Sequence, residues 1–193
     1  MSSSENELPR LDPRADLHGL LIELARLAAV TPAECASLLV HEMSRWSVGQ
    51  HLEHVLRADE LNLRAVEAIL SGRDDSAPPP KDSPDRADFV ALAELSPAAT
   101  TILTDGVIPR GLAESPQVVL PPLDPDAVMI EELRQLQISR WRGLEDSIDR
   151  LGEATGRIAH PLLGAFRAVD WVRFARVHTR HHRLIVEEIV GSQ

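Results

Sequence analysis

Trp171-Val-Arg-Phe-Ala-Arg-Val-His178-Thr-Arg-His-His182-Arg-Leu-Ile-Val-Glu187 is the stretch that decides the fold. On a wheel of roughly 100° per residue, Trp171, Phe174, Ala175, Ile185 and Ile189 share one face. Arg173, Arg176, Arg180 and Arg183 share the opposite face, so the segment reads as an amphipathic helix with a solvated arginine side. It holds three of the chain's eight histidines. His178 and His182, at i and i+4, lie on the apolar face, where two imidazoles can grip one metal ion. Alternatively they are two core histidines bonded to carboxylates or carbonyls. Each ring nitrogen left unpaired would cost roughly 1–3 kcal/mol. His181 sits at the margin and reads as a rim residue.

Further elements follow from caps and periodicity. Leu17, Leu20, Leu21, Leu24, Leu27 and Ala28 predict a helix from Asp16 to Val30, after a polar, disordered lead over residues 1 to about 13. Thr31-Pro32-Ala33-Glu34 predicts a helix start carrying Cys35, Leu38 and Leu39. Ser47-Val48-Gly49-Gln50 is a capping box that predicts a long helix to about Leu70. Residues 71 to 86 read as a proline-rich loop, 87 to 104 as one or two short helices, and 105 to 125 as an extended crossover. Asp124-Pro125 opens a helix to about Gly152, with a stripe of Met129, Leu133, Leu136, Leu144, Ile148 and Leu151. Gly156 to Val169 reads as a connection, and Asp170 as the cap of the last helix. No period-two strand is expected. The fold class is all-α: a four-helix bundle with a long crossover connection, forming a single domain over residues 14 to 193.

Composition bounds the function. The 193 residues are 44% hydrophobic with a net charge of −10, which argues against nucleic acid or an anionic membrane as partner. Aromatic residues are 3% and tyrosine is absent, so a base-stacking platform is not expected. One cysteine, Cys35, excludes an intrachain disulfide framework and fits a reducing cytoplasm. The first residues have no signal-peptide pattern, and no apolar run has membrane-spanning length.

A third ligand would complete an open three-nitrogen site. His18 and His41 carry no partner signal, and His160 is a turn or pocket-wall residue. His51 and His54, three apart, both reach the core side of the long helix, which is lined by Val48, Leu52, Val55 and Leu56. Periodicity prefers His51; a metal that must stay reachable prefers the edge residue, His54. Asp59 and Asn62 also turn inward; they either bond to neighbouring helix groups, the preferred reading, or hold a ligand's second nitrogen.

Three motifs resemble the DinB/YfiT-like superfamily. Trp46-Ser47-Val48-Gly49-Gln50 is similar to the family's W-[ST]-V-x-x, with a ligand histidine eight residues after the tryptophan. His160-Pro161-Leu162-Leu163-Gly164 is similar to its H-P-x-x-G approach to the last helix. His178-Thr179-Arg180-His181-His182 is similar to its H-x-x-H-H, whose first and last members bind metal. A weaker likeness is the proline-rich run from Arg110 to Pro122. The likeness spans most of residues 15 to 190 and departs between 71 and 108. It implies a metal at His54, His178 and His182, with zinc or nickel as the cofactor, in a bundle that is often a homodimer. Characterised relatives include S-transferases using mycothiol, bacillithiol or glutathione, and a mycothiol-dependent isomerase.

The first functional expectation is therefore a cytoplasmic, metal-dependent transferase. It would use a low-molecular-weight thiol on a small-molecule substrate; Arg45, Arg57 and Arg110 read first as surface ion-pair residues and otherwise as groups that hold the thiol's carboxylates. Cys35 reads as a small buried residue rather than a nucleophile. The alternatives are a metal-dependent hydrolase, with Glu53 or Asp59 as general base, and a non-enzymatic stress-response bundle that binds metal.

Overall fold

The computed structural model describes residues 11–31, 35–76, 82, 92, 94–111 and 117–192. Most of the expected polar lead, and Pro32 to Glu34 of the expected helix start, lie outside these residues. So does much of the stretch from 71 to 108.

Four long helices build the bundle: α1 (Pro13–Ala29), α2 (Val48–Leu70), α4 (Ala127–Gly143) and α6 (Ala168–Gly191). Helix α6 packs on both α1 and α2, and α4 closes the ring against α2 and α1. A long crossover joins α2 to α4 and contains the short helix α3 (Pro97–Asp105). Asp12 accepts the N–H groups of Arg14 and Ala15 and so starts α1 slightly earlier than its periodicity suggests, with Pro13 in the first turn. Leu17, Leu20, Leu24 and Leu27 fill its buried face. The Ser47–Gln50 capping box starts α2, with Ser47 N–H donating to Gln50 Oε1 at 2.9 Å. Gln50 Nε2 also donates to Pro122 O at 3.0 Å, which ties the crossover to α2.

Several expectations are corrected. The Thr31 hydroxyl donates back to Leu27 O at 2.8 Å and closes α1, while the helix start expected over Pro32 to Glu34 lies outside the described residues. Residues 36 to 46 form turns and irregular chain rather than the expected helix, and the carbonyls of Ala36 and Leu38 are taken by free N–H groups of α2. Val48 N–H donates to Leu38 O at 2.9 Å and Gly49 N–H to Ala36 O at 2.8 Å. The helix expected to run to Gly152 breaks after Gly143, passes through a 3-10 turn (Glu145–Ser147) and resumes as α5 (Ile148–Glu153). Its N-cap is Asp126 rather than Asp124. Met129 and Leu136 lie half in solvent, while Ile130, Gln137 and Trp141 face inward. Burying the indole of Trp141 outweighs burying those two side chains. The same rotation brings Gln137 and Arg140 onto Glu60 of α2.

The arginine face of α6 is not simply solvated. Arg173 and Arg176 both donate to Asp16 Oδ1, at 2.8 and 2.9 Å, and Arg183 donates to Glu23 Oε2 at 2.5 Å. Asp16 and Glu23, two turns apart on α1, are buried against it. Of the four arginines only Arg180 is exposed. Asp170 lies in the first turn of α6 rather than at its cap. Its carboxylate accepts both the Arg167 backbone N–H and the Arg167 guanidinium, which suits the positive end of the helix.

The connection before α6 is an antiparallel hairpin, β1 (Arg157–His160) with β2 (Gly164–Arg167), in which His160 pairs with Gly164. At four residues per strand, alternation is too short to read from sequence. Gly164 has φ +99°, and a Cβ there would lie 2.3 Å from Glu94 O. Ser96 N–H donates to Leu163 O at 2.9 Å, so the turn is clamped onto the crossover. Gly164→Ala is therefore expected to cost more than about 2 kcal/mol, read as a lower urea midpoint. An unchanged midpoint would show that the turn can shift away from the Glu94 carbonyl.

Candidate metal centre

Helix α2 contributes His51 and His54, and α6 contributes His178 and His182; all four are buried. His54 Nε2 lies 3.1 Å from His178 Nε2, and His182 Nε2 lies 3.2 Å from the same atom. The three residues offer ligand atoms that all fall within 4.8 Å of one another, a group that can hold a metal ion. Geometry thus separates the two candidates on α2. His54 joins the cluster of Nε2 atoms, while His51 turns its Nδ1 to His182 Nδ1 at 2.9 Å and its Nε2 to Ser44 Oγ at 2.8 Å.

The donor chemistry fits a cation. Val119 O can only accept, so His54 donates to it from Nδ1 over 2.8 Å and keeps a lone pair on Nε2. Burial lowers the pKa of His54 to about 4 and pushes His178 and His182 well below the ordinary 6.5. All three are neutral at pH 7, as metal ligands must be. Three imidazoles facing one point cannot satisfy one another, because His54 Nε2 has no hydrogen to give. His178 Nδ1 has no hydrogen-bond partner.

A cavity of about 690 Å³ opens from this point. Its lining includes Trp46, Ile102, Leu163 and Phe174, with Arg45 and His181 also present. The Trp46 ring sits 4.7 Å from that of His54 and is stacked with that of His182 at 6.1 Å. His181 is half-buried and lies outside the cluster, on the cavity wall. His160 also lines the cavity, packed on Phe174 at 4.8 Å and Trp171 at 5.4 Å, and burial lowers its pKa to about 4. His18 and His41 are exposed.

Other candidates separate as clearly. Asp59 and Asn62 make no hydrogen bond to a histidine; Asn62 Nδ2 instead approaches Asp59 Oδ1 at 3.5 Å. Glu53 is held by Arg57 at 2.6 Å and Arg110 by Glu188 at 2.6 Å. Among the described residues no carboxylate lines the cavity, and Cys35 does not line it. Sequence reasoning missed the Val119 carbonyl, which as a backbone atom 65 residues from His54 leaves no motif. It also missed the part Ser44 plays with His51.

No curated protein and no solved structure matches the chain. One family does match, over residues 23–186, which carry all three clustered histidines, the tryptophan that covers them and the hairpin that leads into α6. This chain belongs to the DinB superfamily.

Proposed function

We propose that His54, His178 and His182 hold a divalent metal, zinc or nickel, and that the adjoining cavity is the active site of a transferase that uses a low-molecular-weight thiol. The observation that carries this reading is three converging Nε2 atoms at a largely apolar cavity with no carboxylate in its wall. A cation held there supplies positive charge and an open position, which lower the pKa of a thiol that reaches it.

The chain supplies the rest. The neutral histidines leave the cation's charge uncompensated. Trp46 and Phe174 exclude water from the sulfur, and Arg45 lines the cavity where a thiol's carboxylate can meet it. In the transfer a sulfur–carbon bond forms, the leaving group departs with its bonding pair, and the thiol proton is lost to solvent.

The hydrolase alternative needs a carboxylate to deprotonate water. Glu53 is engaged by Arg57, and Asp59 does not line the cavity. Three donors beside an open cavity, rather than four in a closed shell, also disfavour a purely structural site.

The test is conjugation of an electrophilic dye by zinc- or nickel-loaded protein, with several low-molecular-weight thiols compared in parallel. Turnover that requires one of the thiols supports the reading. Hydrolysis of activated esters without added thiol would replace it with the hydrolase.

A further inference from the structure

We infer that His51 and Ser44 form a positioning pair that holds His182 in the tautomer a metal ligand needs. The inference rests on the reading of His54, His178 and His182 as a cation site, and on nothing about the chemistry done there.

The argument follows the hydrogens. His182 Nδ1 and His51 Nδ1 are 2.9 Å apart, a separation that takes one hydrogen, so one nitrogen donates and the other accepts. With Nε2 of His182 bound to a cation, the neutral ring carries its hydrogen on Nδ1. His51 Nδ1 must then accept. Neutral His51 in turn carries its hydrogen on Nε2, which faces Ser44 Oγ at 2.8 Å. Ser44 Oγ also receives the Trp46 backbone N–H at 3.1 Å. Both acceptor positions of that hydroxyl are then used, and its own hydrogen is free to donate. Ser44 lines the cavity, so that hydrogen is available to a bound ligand.

The chain also runs in reverse. Without a cation, Ser44 O–H can donate to His51, His51 Nδ1 to His182, and His182 Nε2 to His178 Nε2 at 3.2 Å. The two directions differ in hydrogen positions and not in heavy atoms, and the cation selects between them. His51 is 2% exposed on the core face of α2, beside Val48, Leu52 and Val55. Packing alone would be met there by leucine; the acceptor for His182 would not.

The experiment is zinc affinity by competition with a chromophoric chelator, together with the visible spectrum of the cobalt(II)-loaded protein, for the full chain and three variants. His51→Leu removes the acceptor and is expected to weaken zinc binding by roughly ten- to a hundredfold and to alter the cobalt bands. His51→Asn places an amide oxygen near the position of Nδ1 and is expected to recover most of that affinity. Ser44→Ala, which leaves His51 Nε2 without its acceptor, is expected to weaken binding less than His51→Leu. Wild-type affinity in His51→Leu, or His51→Asn as weak as His51→Leu, would overturn the pairing. If the leucine variant is insoluble, Ser44→Ala decides, and unchanged affinity there overturns it. Absence of zinc binding by the wild type would overturn the cation site itself, before any variant is compared.

Discussion

His178→Ala is expected to abolish the thermal stabilisation that zinc confers on the wild type and to weaken zinc binding by more than about a hundredfold. His178 Nε2 is the atom that lies near both others, at 3.1 Å from His54 and 3.2 Å from His182. Without it the remaining two nitrogens come from different helices and share no third donor. A ligand at a thousand times its Kd adds about 4 kcal/mol to the folded state, so the lost shift is easily read in a melting curve. The removed ring has an unpartnered Nδ1 and no hydrogen bond outside the histidine cluster, but it stacks on Phe174 at 5.5 Å, so the zinc-induced shift is read against each variant's own metal-free melting curve. His181→Ala is the control and is expected to keep zinc, since His181 stands outside the cluster. Equal losses in the two variants, or a full equivalent of tightly bound zinc in His178→Ala, would defeat the three-histidine reading.

The second large effect belongs to a residue outside the cavity. Asp59 is 0% exposed, and its Oδ2 has no hydrogen-bond partner. Burial raises its pKa from 3.8 to about 8, against a smaller opposing pull from Asn62 and the Trp141 indole. Between those two pH values the folded chain keeps a proton that the unfolded chain has released. Asp59 therefore makes stability fall as pH rises, by about 1.4 kcal/mol per unit, until pH about 8. The buried histidines act with the opposite sign. His54 and His160, held near 4, stabilise the fold above 6.5, and that contribution is lost as pH falls toward 4.

Asp59→Asn keeps a neutral side chain at every pH. Urea unfolding of metal-free protein is expected to show the variant gaining on the wild type by about 1.4 kcal/mol per unit from pH 6.5 to 8 and then levelling off. The acid limb should be the same in both proteins between pH 6.5 and 4 apart from the Asp59 slope itself. A difference that stays constant from pH 6.5 to 8 would mean that Asp59 is already ionised in the folded protein.

What could be read in the chain itself followed from local rules. The Ser47–Gln50 box announces α2, because a hydroxyl and an amide at that spacing satisfy the free N–H groups of a helix start. The i, i+4 spacing puts His178 and His182 on one face, because 3.6 residues make a turn. The helical class and the long crossover follow from the same periodicity and from the proline-rich stretch between α2 and α4.

What only the tertiary structure decided are pairings between distant segments. Residues 36 to 46 were free to be a helix until α2 claimed the carbonyls of Ala36 and Leu38. The arginines of α6 looked solvated until Asp16 and Glu23 of α1 met them. Periodicity preferred His51 over His54, and both proved buried. The choice between them lies in where each ring nitrogen points: to the other Nε2 atoms for His54, and to His182 Nδ1 and Ser44 for His51. A sequence sets which residues share a helical face, since that is local geometry. Where a ring nitrogen finds its partner across 65 or 131 positions of chain depends on how the helices pack, and that is a property of the folded bundle alone.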